Sequence, residues 1–238
     1  MLVLLTGPVS RVSADFIGYG LTITASNEEG TGTFTLPFGD NLHSPMPITS
    51  DDPSHTVLGY LDETNISYDG DPLVNLSLSV TAGASNTTFT MNSAIVTFAP
   101  LLNPSGIALV SGGTLTDHND NSVTMTGLFP GGTIYEADYN VLTTPVDWAN
   151  LVTTTTVGPS GTFSGRKPTS GSQLIVDTVR SIQSHFAFTL SAGDSASASS
   201  TFNVSGGTVV PEPSTLMLFG LGTVMCFAAA VRKRFRRS

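Results

Sequence analysis

One cysteine and few charged residues set the first limits on this chain of 238 residues. The cysteine, Cys226, lies in an apolar run near the C-terminus. The rest of the chain can therefore form no disulfide, no thiolate nucleophile and no cysteine-ligated zinc or iron–sulfur centre. Charged residues make up 11% of the sequence, and stretches rich in Glu, Lys and Leu, typical of long helices, are missing. Gly, Ser, Thr and Asn are abundant instead, which favours strands joined by turns.

Basic residues are scarce between positions 15 and 210. This segment contains Arg166, Lys167 and Arg180 against seventeen acidic residues, which gives it a formal charge of −14. A surface of that charge repels the phosphates of nucleic acids, so the composition excludes nucleic acid as a partner. The acidity would also attract divalent cations, but plain solubility is the simpler interpretation.

Apolar and polar residues alternate in many short segments of the chain. In PLVNLSLSV, for example, Val74, Leu76, Leu78 and Val80 fall on one face of a strand. Turn sequences such as YDGDP, NPSG and PGGT separate these segments. Apolar residues make up 39% of the chain, which is enough for a sizeable core. We therefore predict an all-β body over residues 15–205, folded as an antiparallel β-sandwich or a jelly roll.

Two segments of this body allow more specific predictions. The only stretch that could form a helix runs from Glu136 to Trp148, and Pro145 interrupts it. The segment HFAFTLSAGDSASASSTFNV is typical of a hairpin, with Gly193 and Asp194 at its turn. This hairpin would close the body, and residues 206–210 would form a short flexible linker behind it.

The first 14 residues have features of a secretory signal peptide. A short apolar stretch is followed by Val12 and Ala14, which occupy positions −3 and −1 of a cleavage site between Ala14 and Asp15. The apolar stretch is short and no basic residue precedes it. We therefore expect residues 1–14 to be a truncated signal peptide whose true start lies upstream of Met1.

Three unlike features follow one another at the C-terminus. The triplet Pro211, Glu212 and Pro213 precedes an uncharged run of 16 residues, Leu216–Val231. A basic cluster then ends the chain: Arg232, Lys233, Arg234, Arg236 and Arg237. As a helix the uncharged run would span about 24 Å, which is short of the ~30 Å hydrocarbon core of a bilayer. We predict one short transmembrane helix over residues 214–232, with the basic cluster on the cytoplasmic side and the body outside.

The order of these features resembles the PEP-CTERM sorting signal of exported bacterial proteins. The resemblance covers residues 211–237. It implies export, transient membrane insertion and recognition by a membrane-embedded exosortase that cuts near Pro211, Glu212 and Pro213. It also implies release of the body to the cell envelope or extracellular matrix, often in association with exopolysaccharide. Physically, two prolines keep this strip extended, so that a protease-like site can hold its backbone.

The body has no recognisable catalytic motif. Its histidines, His43, His55, His118 and His185, lack metal-ligand spacing, and His185 could simply face solvent at the start of a strand. In GTFSG the serine stands one place too late for a nucleophile elbow. Adjacent carboxylates occur in pairs, but a glycosidase needs two carboxyl groups across a cleft. We therefore expect that the body is not an enzyme and has no catalytic metal or cofactor.

One loop partly matches a calcium-binding sequence. DHNDNS places Asp117, Asn119 and Asn121 at alternate positions, but the glycine and the final glutamate of a calcium loop are missing. An Asx-type turn is the simpler interpretation, and structural calcium remains an alternative. Similarly, Trp148 with Tyr135 and Tyr139 could form an aromatic platform for sugars, although a tryptophan packed in the core is more common.

Two hypotheses for the function follow from the sequence. In the first, the protein is an exported envelope or matrix protein that associates with exopolysaccharide. In the second, it is a secreted hydrolase that acts on extracellular polysaccharide. A cleft lined by separated carboxylates would favour the hydrolase, whereas a closed sandwich with small surface grooves would favour the binding protein.

Overall fold

A computed structural model of the chain describes residues 14–206 and the backbone of residues 208 and 209. The described residues contain sixteen β-strands and no helix, and every strand pairing is antiparallel. The prediction of an all-β body of antiparallel strands is therefore confirmed. The strands are β1 (Asp15–Asn27), β2 (Gly30–Leu36), β3 (Met46–Thr49), β4 (Val57–Asp69), β5 (Leu73–Ala82), β6 (Thr87–Leu102), β7 (Ser105–Thr116), β8 (Val123–Gly127), β9 (Thr133–Tyr139), β10 (Val146–Thr153), β11 (Thr155–Val157), β12 (Ser160–Lys167), β13 (Gln173–Leu174), β14 (Thr178–Leu190), β15 (Ser195–Ser205) and β16 (Thr208–Val209).

The strands form two sheets. Sheet I has the order β10-β9-β14-β6-β1-β2, with β8, β11 and β16 attached to it. Sheet II has the order β12-β7-β15-β5-β4-β3, with β13 attached to β7. The central strands β14 and β15 follow each other along the chain but lie in different sheets.

The apolar faces of the two sheets enclose one core. Along β5, Val74, Leu76 and Val80 are fully buried, whereas the residues between them are only half-buried. This is the period of two that a strand with one face on the core requires. Trp148 of sheet I stacks on Phe202 of sheet II, with ring centroids 5.5 Å apart. Trp148 is therefore a core residue that joins the two sheets, as the simpler interpretation of the sequence proposed.

The prediction of a closing hairpin around Gly193 and Asp194 is wrong. The chain leaves β14 in sheet I, turns through residues 191–194 and enters β15 in sheet II. Gly193 has a φ of 73°, a left-handed conformation that glycine adopts without strain. The two flanking segments alternate like a hairpin, but their inner faces lie against each other across the core instead of side by side in one sheet.

The carboxylate of Asp194 holds this crossing together. Asp194 is fully buried, and its Oδ1 accepts a hydrogen bond from the backbone N–H of His118 at 3.2 Å. Its Oδ2 accepts the hydroxyl of Ser191, and its backbone carbonyl accepts the N–H of Ala82 at 2.9 Å. Gly193 donates in turn to the carbonyl of Gly83 at 2.8 Å. The crossing is thereby tied to the β5–β6 and β7–β8 connections.

The segment from Glu136 to Trp148, the only stretch of the body that could have formed a helix, lies in β9, β10 and the turn between them. Tyr135, Ala137 and Tyr139 all point into the core, which is the alternation of a strand. Pro145 stands immediately before β10, where its missing N–H interrupts no ladder. Beyond the body, β16 pairs with Leu101 and Leu102 of β6, so two residues of the predicted linker are in a strand.

The predicted transmembrane helix over residues 214–232 lies outside the described residues. Within the part of the chain that the structure describes, no helix has the length and apolarity needed to span a bilayer.

Replacing Asp194 with alanine should destabilise the whole body. The N–H of His118 and the hydroxyl of Ser191 would lose their acceptor in a buried site, at a cost of about 1–3 kcal/mol in the free energy of unfolding. The cost should appear in chemical denaturation of the full chain. Asp71→Ala is the matched control, because Asp71 is exposed in a turn. An equal effect of the two substitutions would contradict the role assigned to Asp194.

Candidate functional site

A row of polar side chains crosses the outer face of sheet I. Tyr135 and Ala137 of β9 face the core, so Glu136 and Asp138 between and after them face outward. Asp138 lies directly opposite Asp147 of β10, and Glu136 lies directly opposite His185 of β14. Directly opposed side chains on neighbouring antiparallel strands are close enough to interact. Sheet pairing therefore assembles the four residues at one place.

His185 is held between β9 and β6. Its Nδ1 lies 2.6 Å from the amide oxygen of Asn92, its cross-strand neighbour on β6. Because an amide oxygen can only accept a hydrogen bond, this contact places a proton on Nδ1. The other nitrogen, Nε2, lies 3.3 Å from Oδ2 of Asp138. The imidazole side chain is 15% exposed, so the expectation that it simply faces solvent is wrong.

The three carboxylates lie unusually close together. Glu136, Asp138 and Asp147 each place one oxygen within 4.8 Å of an oxygen of the other two. Burial and the neighbouring charges of Asp138 and Asp147 raise the pKa of Glu136 to about 7. Among the described residues, no lysine or arginine nitrogen lies within 4.0 Å of these carboxylates. The cluster thus brings three carboxylates together without a lysine or arginine beside them.

This cluster is not apparent in the amino-acid sequence. Glu136 and Asp147 lie near the two ends of the stretch that Pro145 interrupts, and His185 lies far from both in the chain. The signal that was available is the alternation in TIYEADY, which places Glu136 and Asp138 on one strand face. Alternation alone cannot show that β10 and β14 flank this strand.

In the loop of the calcium candidates Asp117, Asn119 and Asn121, backbone N–H groups bond to the carboxylate of Asp117. Asp117 accepts hydrogen bonds from the N–H groups of Asn119 at 3.0 Å and Ser122 at 2.8 Å. These bonds, led by that from Asn119, hold the pKa of Asp117 below its usual value. The side chain of Asn119 donates to the carbonyl of Ala192 at 2.7 Å, next to the buried Asp194. The described geometry is that of an Asx turn which supports the crossing between the sheets.

The proposed aromatic platform is not formed at the surface. Trp148 is 7% exposed, Tyr139 is 8% exposed and Tyr135 is fully buried. The hydroxyl of Tyr135 lies 3.0 Å from that of Ser184, inside the core. These rings therefore contribute to stability, and their faces cannot stack on a sugar.

The predicted processing sites lie at the limits of the described structure. Ala14 is half-buried against the core, and Asp15 is the first residue of β1. The sorting triplet Pro211, Glu212 and Pro213 lies outside the described residues. So does the whole basic cluster of Arg232, Lys233, Arg234, Arg236 and Arg237.

Comparison with known families characterises this C-terminal segment. Residues 209–234 match the family model of the PEP-CTERM protein-sorting motif. The chain carries a PEP-CTERM sorting signal. This signal implies an exported protein that is recognised by exosortase, a membrane processing enzyme. No curated protein matches the chain.

Glu136→Gln should raise the stability of protein freed of divalent cations at pH 8. The change keeps the shape of the side chain and removes one of three mutually repelling charges. Because the site is partly exposed, the repulsion relieved should be less than about 1 kcal/mol. In a domain of this size, that change in the free energy of unfolding raises Tm by roughly 2 °C.

The pH dependence provides the control for this prediction. The folded-state pKa of Glu136, about 7, lies above its ordinary value of 4.5, so ionisation of Glu136 lowers stability as the pH rises between these values. At pH 5, below this pKa, Glu136 of the folded wild type carries a proton and no charge. The other titratable groups that face the site, Asp138, Asp147 and His185, are the same in both proteins. The advantage of the Gln variant should therefore shrink at pH 5 in thermal melts with chelator. A difference in Tm that is independent of pH would contradict the assignment.

Proposed function

We propose that the protein is an envelope or extracellular-matrix protein that exosortase releases from the membrane, and that its body binds exopolysaccharide without catalysing a reaction. The observation that carries the proposal is the PEP-CTERM motif at residues 209–234. Its tail would insert transiently as a short helix, with the basic cluster on the cytoplasmic side. Mismatch between a short helix and the bilayer costs only fractions of a kcal/mol per Å, so release requires proteolysis.

The end of the body supports cleavage close to the folded domain. Strand β16 is paired with β6, and only one residue separates Val209 from Pro211. An extended chain gains at most ~3.6 Å per residue, so cleavage at the triplet would take place within a few residues of this paired strand. The processing enzyme must therefore work beside the body or separate β16 from β6 first.

The outer face of sheet II supports the binding of a polysaccharide. Hydroxyl groups follow one another across its strands: Ser199 donates to Ser77 at 2.9 Å, and Thr114 lies 2.6 Å from Ser197. A shallow depression on this face is lined by four serines and the carboxylate of Glu63, together with Gly112, Leu78 and Ala198; the serines are Ser77, Ser79, Ser197 and Ser199. Small hydroxyl side chains can donate to and accept from the hydroxyl groups of a sugar chain.

The carboxylate cluster of sheet I favours a second candidate, a secreted polysaccharide hydrolase. Glu136, with its pKa raised to about 7, has the character of a general acid, and a second carboxylate lies within 4.8 Å of it. The cluster lies on the outer face of a sheet. A hydrolase would in addition need surfaces that hold the sugar chain over this cluster and exclude water.

Glu212→Ala should block processing in a host that has the matching exosortase. The variant should accumulate uncut in the membrane fraction, whereas the wild type should lose its tail and leave the membrane. Mass spectrometry of the mature C-terminus measures this directly, and Glu29→Ala, at an exposed turn of the body, is the control. Recovery of wild-type protein intact through Ser238 in the envelope would show that the tail is a permanent anchor.

Ser199→Glu should weaken co-sedimentation of the released protein with exopolysaccharide from its host. The longer charged side chain would break the contact with Ser77 and fill part of the depression. Ser170→Glu, in an exposed loop, should bind like the wild type. Reducing ends measured in the same samples test the second candidate: their release by the wild type, and its loss in Glu136→Gln, would establish the hydrolase and overturn a purely binding role.

A further inference from the structure

We infer that Glu136, Asp138 and Asp147 form a binding site for a divalent cation that prefers oxygen ligands, such as calcium. The inference concerns the outer face of sheet I and depends neither on the sorting signal nor on binding of polysaccharide. It rests on three features of the cluster: a buried oxygen without a partner, the spacing of the carboxylates and the position of His185.

The first feature is the unsatisfied oxygen of Asp138. This residue is 7% exposed, and its Oδ1 is buried without a hydrogen-bond partner among the residues that the structure describes. Its other oxygen, Oδ2, faces Nε2 of His185. A buried carboxylate oxygen without a partner is costly, and native proteins rarely leave one unpaired. A cation bound by this carboxylate would supply the missing partner.

The second feature is the spacing of the carboxylates. The three side chains each place an oxygen within 4.8 Å of the others. Calcium holds its oxygen ligands at about 2.3–2.6 Å, so two oxygens on one ion are at most about 5 Å apart. The cluster therefore already has dimensions that one ion can bridge. A divalent charge would also convert the mutual repulsion of the three carboxylates into attraction.

The third feature is the position of His185. Asn92 fixes the ring and keeps the proton on Nδ1, which directs Nε2 at Oδ2 of Asp138. His185 thus acts as a positioning residue: its ring occupies the side of the carboxylate that carries Oδ2, 3.3 Å away, and leaves Oδ1 for the ion. The predicted ligands are then all carboxylate oxygens, the set that calcium, magnesium and manganese prefer over softer metals.

The exposure of the site indicates how the ion would enter and how tightly it would bind. Asp147 is exposed and Glu136 is half-buried, so the site opens to solvent and water can complete the coordination. A site with few protein ligands on a rigid sheet should bind calcium in the range of extracellular modules, with a Kd of about 0.1–1 mM.

Calcium titration of the chelator-treated full chain in mild detergent tests the inference. Isothermal calorimetry should show one saturable site for calcium, with magnesium and manganese as comparison ions. Terbium, which replaces calcium at oxygen sites, gives a readout specific to this location. Trp148, the only tryptophan of the chain, follows Asp147 directly and should therefore sensitise the emission of bound terbium.

Matched variants separate this site from general attraction to an acidic surface. Asp138→Asn and Asp147→Asn should each weaken binding about tenfold or more and reduce the terbium signal. Asp147→Asn changes an exposed residue, so it keeps the test valid if Asp138→Asn does not fold. Asp117→Asn should bind like the wild type. The inference is overturned if calcium up to ~10 mM does not bind, a range well above extracellular sites, or if Asp117→Asn alone abolishes binding.

Discussion

The buried carboxylate of Asp194 is the constraint on which the two-sheet arrangement depends. It lies where the chain passes from sheet I to sheet II, and the β5–β6 and β7–β8 connections are bonded to Asp194 or to the residue beside it. A buried charge is tolerated only where donors surround it, because desolvation would otherwise destabilise the fold. One donor, the hydroxyl of Ser191, lies in the same turn, and the other, the N–H of His118, lies in the β7–β8 connection, so the carboxylate fixes this connection relative to the crossing. The Asx turn of Asp117 belongs to this assembly, which gives it a structural role.

The two outer faces of the body differ in chemistry although both belong to sheets of the same core. The outer face of sheet II is covered by serine, threonine and asparagine side chains that bond to each other across the strands. Sheet I instead gathers Glu136, Asp138 and Asp147 into one cluster beside His185. Strand order produces this difference, because β9 is flanked by the strands that carry Asp147 and His185. One face thus offers many hydroxyl groups with Asp62 and Glu63 among them, and the other a cluster of three carboxylates.

The strands could be predicted from the sequence because alternation is a local signal. Val74, Leu76 and Val80 show it plainly, and their burial follows. The pairing of strands is a non-local property, which explains the wrong hairpin at Gly193: two alternating segments joined by a tight turn look alike whether they pair or cross between sheets. The cluster of Glu136 and His185 could not be predicted for the same reason. These residues are 49 positions apart in the chain, and only the register of β9 and β14 brings them together. The sorting triplet, by contrast, is read from adjacent residues and needed no tertiary information.

The position of β14 and β15 has a consequence for biogenesis. Each is a central strand of its sheet, yet they are the last two long strands that the ribosome makes. Until both have appeared, the earlier strands lack the partners that join β9 to β6 and β7 to β5. Pairings between distant segments form slowly. Neither sheet can therefore close until nearly all of the body has been made. Closure of both sheets thus depends on the residues that come just before the sorting signal at residues 209–234.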